Sequence, residues 1–340
     1  MSSTSKALIL FAALAVLAFS DARAADQSAH SDGSTATEKL QEVTVTAQRA
    51  KLAARVRDFV NQIVTPENNG EEGIARWQVP AVCPLVSGLT RQQGEFILER
   101  LSEIARKAGV PLAGEQCHPN LYILVTAQPE ELLRGMEKRN RAFTFGYETF
   151  GSSTANTSYT PEGVVNEFIE TPRAVRAWYN DNQKDPWGQP LASCQANLLL
   201  PICNAPGLDP RTEGMKQRFC TQTNYYRCGR GTAGGSHLTL SAISTFSRVF
   251  VIVDQTRLHG VTFGQLADYV AMVGFAKLRP GAHLGDAPTV LKLFDGAPQA
   301  APAGLTDWDQ AFLKSLYATE QLAKGQSGQI ARAMVRDIVH

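Results

Sequence analysis

Residues 248–278 have the sequence RVFVIVDQTRLHGVTFGQLADYVAMVGFAKL, in which a strand pattern is followed by a helix pattern. The run of Val, Phe and Ile over residues 248–254 is typical of a strand that is covered on both faces. Thr262 and Gln265 have the spacing of a capping box, which predicts the start of a helix. The apolar pattern then continues almost to Pro280, which ends it. This stretch therefore predicts a buried strand followed by a buried helix.

The region before this stretch also alternates between strand and helix patterns. Residues 83–88 and 120–126 are strand candidates, and residues 90–107 between them have the apolar periodicity of a helix. Gly109 stands where a left-handed cap would end that helix. Pro129 is in a good position to begin another helix. We therefore expect two strands that are joined by a helix and followed by a second helix.

Residues 143–236 have no regular pattern. Phe, Tyr, Thr, Asn and Gly are frequent there, so we expect loops and hairpins. Residues 237–244 resume a strand pattern and should neighbour the strand at 248–254. Together with a helix that starts near Lys51, these elements predict one α+β domain over residues 51–337. Its single mixed sheet would have helices packed on it, with residues 143–236 as a disulfide-stapled insertion.

The N-terminus has the layout of a cleaved signal peptide. Residues 7–19 form an uninterrupted apolar run, and small residues follow at Ala22 and Ala24. The run is too short to span a bilayer, and no later run is long enough to do so. We therefore expect residues 1–24 to be removed on export. The mature chain, with no membrane span, would reside in the periplasm or outside the cell.

Residues 25–50 predict a disordered linker, because they begin with a small, polar stretch that has no apolar periodicity. At its end, residues 42–49 (EVTVTAQR) alternate as an extended strand does. This segment resembles the TonB box, a short peptide of outer-membrane receptors that pairs with TonB by strand addition. The match is short, so an ordinary exposed segment is the alternative to a contact with TonB.

All six cysteines follow the predicted signal peptide, and an even number in an exported chain favours disulfides. No C-x-x-C pair is present, which disfavours a zinc site. Six cysteines allow many pairings, and their spacing favours those between neighbours in the sequence. The favoured pairs are Cys83–Cys117, Cys194–Cys203 and Cys220–Cys228.

The charge composition argues against nucleic acid as the partner. Lys and Arg together number 33 and Asp and Glu number 32, so the net charge is +1. Proteins that bind nucleic acid usually have a basic surplus on at least one face. The 44% of hydrophobic residues is sufficient for a sizeable core.

The order strand, helix, strand, insertion, strands, helix resembles the zincin-like peptidase fold. It more closely resembles a group of exported bacterial proteins of unknown function that are related to that fold. The residues around 248–317 add to this resemblance. Leu305-Thr-Asp-Trp-Asp309, followed by a helix that ends in Leu316-Tyr317, is similar to the segment that opens the final helix of such domains.

In the metzincin branch of that fold, the active-site helix has the motif H-E-x-x-H-x-x-G, with a third His three residues later. Alignment on Gly274 puts Ala267 and Ala271 at the first two zinc-ligand positions, Asp268 at the position of the general base and Lys277 at the third ligand. Neither Ala nor protonated Lys has a lone pair for zinc. The resemblance therefore implies a scaffold without the zinc site.

The other candidate catalytic residues are isolated in the sequence. His259 and His283 flank the helix and, with Asp268, could form an unrelated metal site. Surface or hydrogen-bonded histidines are the alternative, because a metal needs several converging ligands. Asp268 is the most unusual residue, a carboxylate on an apolar helix, and the alternative for it is a buried group satisfied by hydrogen bonds. Asp307 and Asp309 are interpreted as helix-capping residues.

Two function classes follow from these observations. The first is an exported, disulfide-bonded, non-catalytic protein, a pseudo-peptidase with a binding or structural role in the cell envelope. It would need no cofactor and no metal, and its partner would be an envelope protein or a peptide. The second is a divergent secreted hydrolase or metallopeptidase with a rearranged site.

Overall fold

The computed structural model covers most of the residues that follow the expected signal peptide. It describes residues 32–64, 73–148, 158–159, 162–184, 239–240, 243–296 and 300–339. The chain divides into two units, residues 1–49 and residues 50–340. None of the helices in the described ranges is long and apolar enough to cross a membrane.

The described elements form an α+β domain. The helices are α1 (Asp32–Ile63), α2 (Arg91–Ala108), α3 (Pro129–Phe145), α4 (Glu162–Glu170), α5 (Phe263–Phe275), α6 (Asp307–Ala318) and α7 (Gln326–Val339). The strands are β1 (Pro84–Ser87), β2 (Leu121–Thr126), β3 (Tyr147–Glu148), β4 (Ser158–Tyr159), β5 (Val175–Lys184) and β6 (Ile243–Asp254).

One mixed sheet of four strands organises the domain, in the order β1-β2-β6-β5. The first three strands are parallel, and β5 is antiparallel to β6 at the edge. A register shift between Asn180 and Asp181 interrupts the pairing of β5 with β6. A small antiparallel hairpin, β3 with β4, lies outside this sheet and agrees with the hairpins expected in the insertion.

Both faces of the sheet are covered, as the apolar strand patterns predict. Alternate residues of β6 point to opposite faces: Val249 and Val251 join the main core, whereas Phe250 and Ile252 join a smaller cluster. Residues of α2, α5, α6 and α7 contribute to the main core. Residues of α3 and α4 contribute to the smaller cluster.

The helix caps expected from the sequence are present. Gly109 ends α2 with φ of 76°, and the structure adds a capping box of Thr90 with Gln93 at the start of that helix. Thr262 with Gln265 caps α5 in the same way, and α3 begins at Pro129. The two capping boxes satisfy backbone N–H groups that have no partner inside the helix, and this local chemistry makes such helix starts predictable.

The Cys83–Cys117 disulfide is confirmed. The two Cα atoms lie 6.0 Å apart, immediately before β1 and shortly before β2. Because β1 and β2 are parallel, their starts lie at the same end of the sheet, which brings the two thiols together. Cys194–Cys203 and Cys220–Cys228 lie outside the described residues.

The expectation of loops for residues 143–236 is wrong for part of that range. It contains α4 and the ten-residue strand β5, which is part of the main sheet. The sequence did not predict β5 because its residues from Asn180 onward are polar. An edge strand can contain such residues because it is not buried on all sides. Residues 185–236 lie outside the described ranges.

The expected break between strands at 237–244 and 248–254 is not seen where both are described; residues 237, 238, 241 and 242 lie outside the described ranges. The described residues from Ile243 to Asp254 form the single strand β6. The hydroxyl groups in its first half fit within the sheet because backbone carbonyl groups of β5 accept hydrogen bonds from them. Ser247 Oγ donates to the Asn180 carbonyl at 2.9 Å.

The extended conformation expected for residues 42–49 differs from the structure, in which α1 begins at Asp32 and includes this segment. A helix is costly to begin but easy to extend, so the strong helix pattern after Lys51 can propagate backward through residues such as Glu42 and Ala47. Strand addition to TonB would therefore require these residues to leave the helix.

Candidate functional site

Helix α5 contains two of the three positions that align with the zinc ligands of the metzincin motif, and the third follows it at Lys277. Ala267 and Ala271 are both fully buried in the main core. Lys277 Nζ lies 3.2 Å from Asp181 Oδ2, in an ion pair between the end of α5 and strand β5. The positions that align with the zinc ligands are therefore occupied by core methyl groups and a paired ammonium.

The carboxylate of Asp268 is buried, and its hydrogen bonds fix its position. Arg100 donates from Nε to Oδ1 at 2.6 Å and from Nη2 to Oδ2 at 3.0 Å. The backbone N–H of Leu305 donates to Oδ2 at 2.7 Å. A Cβ at Gly304 would come within 2.5 Å of the same oxygen, so the absence of a side chain there permits this approach. Asp268 thus connects α2, α5 and the segment before α6.

The two candidate histidines do not belong to a cluster of potential metal ligands among the described residues. His259 and His283 are both exposed. In the part of the chain that the structure describes, no group of three or more His, Cys, Asp or Glu residues could hold a metal ion. The expected arrangement of His259, His283 and Asp268 around a metal therefore finds no support in the geometry.

Asp309 is a buried helix cap, as expected. Its carboxylate accepts from the backbone N–H groups of Thr306 and Val290 at 3.0 and 2.8 Å, and from the hydroxyl of Thr289. Burial raises the pKa of Asp309, although these hydrogen bonds oppose the shift. Asp307, the other carboxylate expected to cap α6, is exposed in the first turn.

A cleft that was not expected from the sequence runs along the outer edge of β5, where the described residues add no further strand. We call it the edge groove; its volume is about 470 Å³. Residues 175–179 of β5 form its floor, and α4 forms one wall. The second wall is formed by Tyr269 and Val273 of α5 together with residues 278–284.

Within the described ranges, no strand pairs with the outer edge of β5, so its backbone presents groups to this groove. Asp254 N–H donates to the Ala174 carbonyl at 2.9 Å, which makes Ala174 and Asp254 a hydrogen-bonded pair. In an antiparallel ladder such pairs alternate, so Arg176 and Trp178 also bond to β6. The N–H and C=O groups of the intervening residues, Val175, Ala177 and Tyr179, consequently point away from the sheet and toward the groove.

Tyrosine side chains line the α5 side of the groove. Tyr179 donates its hydroxyl to the Val273 carbonyl at 2.8 Å, and burial raises its pKa above the ordinary value. Burial raises the pKa of Tyr269 to about 12. Its ring also packs edge-on against Phe294. Both phenols therefore stay neutral at physiological pH and add no charge to this wall.

On the α4 side of the groove, two donors that are closed to solvent have no hydrogen-bond partner among the described residues. Arg176 is 4% exposed; its Nη1 donates to the Ile169 carbonyl at 3.0 Å, but its Nε has no partner. The Nε1 of Trp178 is also buried without a partner. Val175, Trp178 and Tyr179 are residue types that favour strands, and they were the sequence signal for this edge.

Comparison with known proteins adds no relative to this picture. No protein-family model, curated protein or solved structure matches the chain.

Proposed function

We propose that this chain is an exported, non-catalytic protein that binds an extended peptide segment in the edge groove. The observation that carries the proposal is the outer edge of β5, which pairs with no other described strand and forms the floor of a walled groove. An extended peptide can add to such an edge by backbone hydrogen bonds, while the walls receive its side chains. Val175, Ala177 and Tyr179 would supply the backbone groups.

A non-catalytic role is supported by the state of α5. Ala267 and Ala271 are core residues, and the carboxylate of Asp268 accepts three hydrogen bonds from fixed donors. A general base must reach the proton that it removes, and Asp268 is enclosed by Arg100 and Leu305. These observations favour a pseudo-peptidase over the divergent hydrolase, which has no comparable support among the described residues.

The proposed place of action is the periplasm or the cell exterior. The Cys83–Cys117 disulfide is typical of proteins that fold in oxidising compartments. The apolar run at residues 7–19 supports export through a cleaved signal peptide. We also retain the zincin-like relationship as a proposal; the order β1-α2-β2, then β6 and α5, supports it.

The proposal is tested by removing one outward N–H group from the floor of the groove. Ala177→Pro deletes the N–H that points to the groove and leaves the bonds of Arg176 and Trp178 to β6 intact. Ala177→Ser is the matched control, because it keeps the N–H. The probe is a pool of eight-residue peptides, rich in β-branched residues, whose binding is followed by fluorescence anisotropy.

We expect Ala177→Ser to bind the pool as the unchanged chain does. We expect Ala177→Pro to bind at least about ten-fold more weakly, because a backbone hydrogen bond is lost and the ring occupies its place. Thermal unfolding of both variants controls for folding. Equal binding by the two variants would exclude strand addition at β5, and release of cleaved peptide would favour the hydrolase instead.

A further inference from the structure

Half-buried hydrophobic side chains collect on the α5 side of the edge groove. In β5, Val175, Ala177 and Tyr179 point to this side, because alternate residues of a strand face the same way. Six hydrophobic residues that line the groove pack against the main core and are only partly buried. They are Ala177, Tyr179, Tyr269, Ala282, Leu284 and Leu291. This apolar surface is therefore open to a molecule that occupies the groove.

Ala177 is the smallest residue on the floor of the groove, which is formed by residues 175–179. On the same face of β5 it lies between the larger side chains of Val175 and Tyr179. The hydroxyl of Tyr179 donates a hydrogen bond to the Val273 carbonyl at 2.8 Å, which fixes the position of its ring. Ala177 itself stays half-buried. The floor therefore has a recess at Ala177, between two larger neighbours.

The wall on this side of the groove is apolar as well. Tyr269 and Val273 belong to α5, and Leu284 comes from the segment after that helix. The ring of Tyr269 packs edge-on against Phe294, with the centroids 4.9 Å apart, and this contact holds it in place. We call Ala177, Tyr269, Val273 and Leu284 the apolar subsite.

The charged residues on this side of the groove favour no charged group in the apolar subsite. Arg279 and Asp295 are both exposed, and their charges are opposite. A charged side chain would gain little from two exposed, opposite charges, and it would lose hydration in the subsite. An apolar side chain loses no such hydration, and it removes the hydrophobic surface of the subsite from water.

We propose that the peptide bound in the edge groove places a large aliphatic side chain, of the size of Leu, Ile or Met, in the apolar subsite. This inference rests on the proposed function, since it specifies which peptides the groove selects. Paired residues of neighbouring strands point to the same face, with Cβ atoms about 5 Å apart. The peptide residue opposite Ala177 therefore points toward α5. The groove volume of about 470 Å³ lies in the range of natural ligand pockets, so it has room for such a side chain.

The test uses three eight-residue peptides that differ at one position. Each has a dye at the N-terminus and an amide at the C-terminus, and its residues are Ser or Thr except for Leu, Asn or Ala at the fifth position. Asn is close to Leu in size but polar, whereas Ala is apolar but small. We expect the Leu peptide to bind the full chain at least about ten-fold more tightly than either of the others, because it removes more apolar surface from water. Fluorescence anisotropy measures the three affinities.

Two variants alter the apolar subsite from opposite sides. Ala177→Leu keeps the backbone N–H but fills the recess, so the preference for Leu over Ala should fall below about two-fold. Leu284→Asn makes the wall polar and should reduce the preference for Leu over Asn to less than about three-fold. Leu258→Asn is the matched control, because Leu258 is also a half-buried leucine on the main core but does not line the groove. It should retain both preferences.

The outcomes separate this inference from the proposed function. Thermal unfolding confirms that each variant is folded, and Leu284→Asn decides alone if Ala177→Leu does not fold. Equal binding of the three peptides, with loss of binding in Ala177→Pro, would overturn the apolar specificity and leave the docking at β5 intact. A preference for Leu that persists in both Ala177→Leu and Leu284→Asn would also overturn it. Failure of all three peptides to bind would overturn the specificity, and equal binding of the peptide pool by Ala177→Pro and Ala177→Ser would refute the docking as well.

Discussion

Replacement of Asp268 by Asn tests whether this residue is structural. The carboxylate is 2% exposed and receives two hydrogen bonds from Arg100 and one from Leu305. An Asn amide would turn an NH₂ group toward one of these donors and would leave the guanidinium without its counter-ion. Arg100 is itself 33% exposed and also contacts Glu103 at 2.9 Å, so water and Glu103 would recover part of the loss.

Loss of one partner from a buried ion pair typically costs 3–5 kcal/mol, so with this partial recovery we expect Asp268→Asn to lower the free energy of unfolding by about 3 kcal/mol. In a domain of this size, that corresponds to a decrease in Tm of roughly 6–12 °C. The assay is urea unfolding, with the disulfides intact, followed by circular dichroism. Glu99→Gln is the matched control, because Glu99 is exposed on the same helix as Arg100; its effect should stay within about 0.5 kcal/mol.

A double-mutant cycle isolates the pair. If Asp268 and Arg100 act together, Arg100→Met should be nearly as costly as Asp268→Asn, and the double variant should be much less destabilised than the sum of the two. Additive effects would contradict the coupling. An Asp268→Asn protein that unfolds like the unchanged chain but loses a bound stoichiometric metal would refute the structural role altogether.

Three further predictions concern the rest of the domain. Replacing Cys83 and Cys117 together by Ala should lower the free energy of unfolding by about 4 kcal/mol, measured by urea denaturation, since the bond closes a long loop in the unfolded chain. Burial raises the pKa values of Tyr179, Tyr269 and Tyr317, so the folded state should lose stability as the pH rises from about 10 through 12, where only the unfolded chain is ionised. Phenolate absorbance from these tyrosines should then appear together with unfolding, and its appearance in the folded protein would contradict their burial. Metal analysis of the purified protein should find no stoichiometric zinc, and one zinc per chain would overturn the pseudo-peptidase proposal.

The sequence was most informative where the physical cause is local. The caps at Thr90, Thr262 and Thr306 were predictable because a hydroxyl and a side chain three residues later satisfy nearby N–H groups. The Cys83–Cys117 pair was predictable because a strand-helix-strand unit brings the starts of parallel strands together. Both inferences need only residues that are close in the sequence or joined by one connection.

The sequence was least informative where the deciding partner is remote. Asp268 could have been a general base or a buried structural carboxylate, and its partner Arg100 is 168 positions away. Strand β5 was missed for the same reason, because the groups that pair its backbone belong to β6, beyond the insertion. A polar edge strand forms its backbone hydrogen bonds with a neighbouring strand, so its own composition need not have a recognisable strand pattern.

The geometry of α5 also explains why the edge groove is not a vacant zinc cleft. Successive residues of a helix are rotated by about 100°, so Ala267 and Ala271 lie on one face and Tyr269 and Val273 on nearly the opposite one. The first pair packs in the core, and the second pair lines the groove. A metal held by α5 in this groove would need ligands at positions 269 and 273, and the side chain of Val273 has no atom that could ligate a metal. The same helix therefore gives the groove an apolar, neutral wall, which suits a bound peptide better than a metal-activated water.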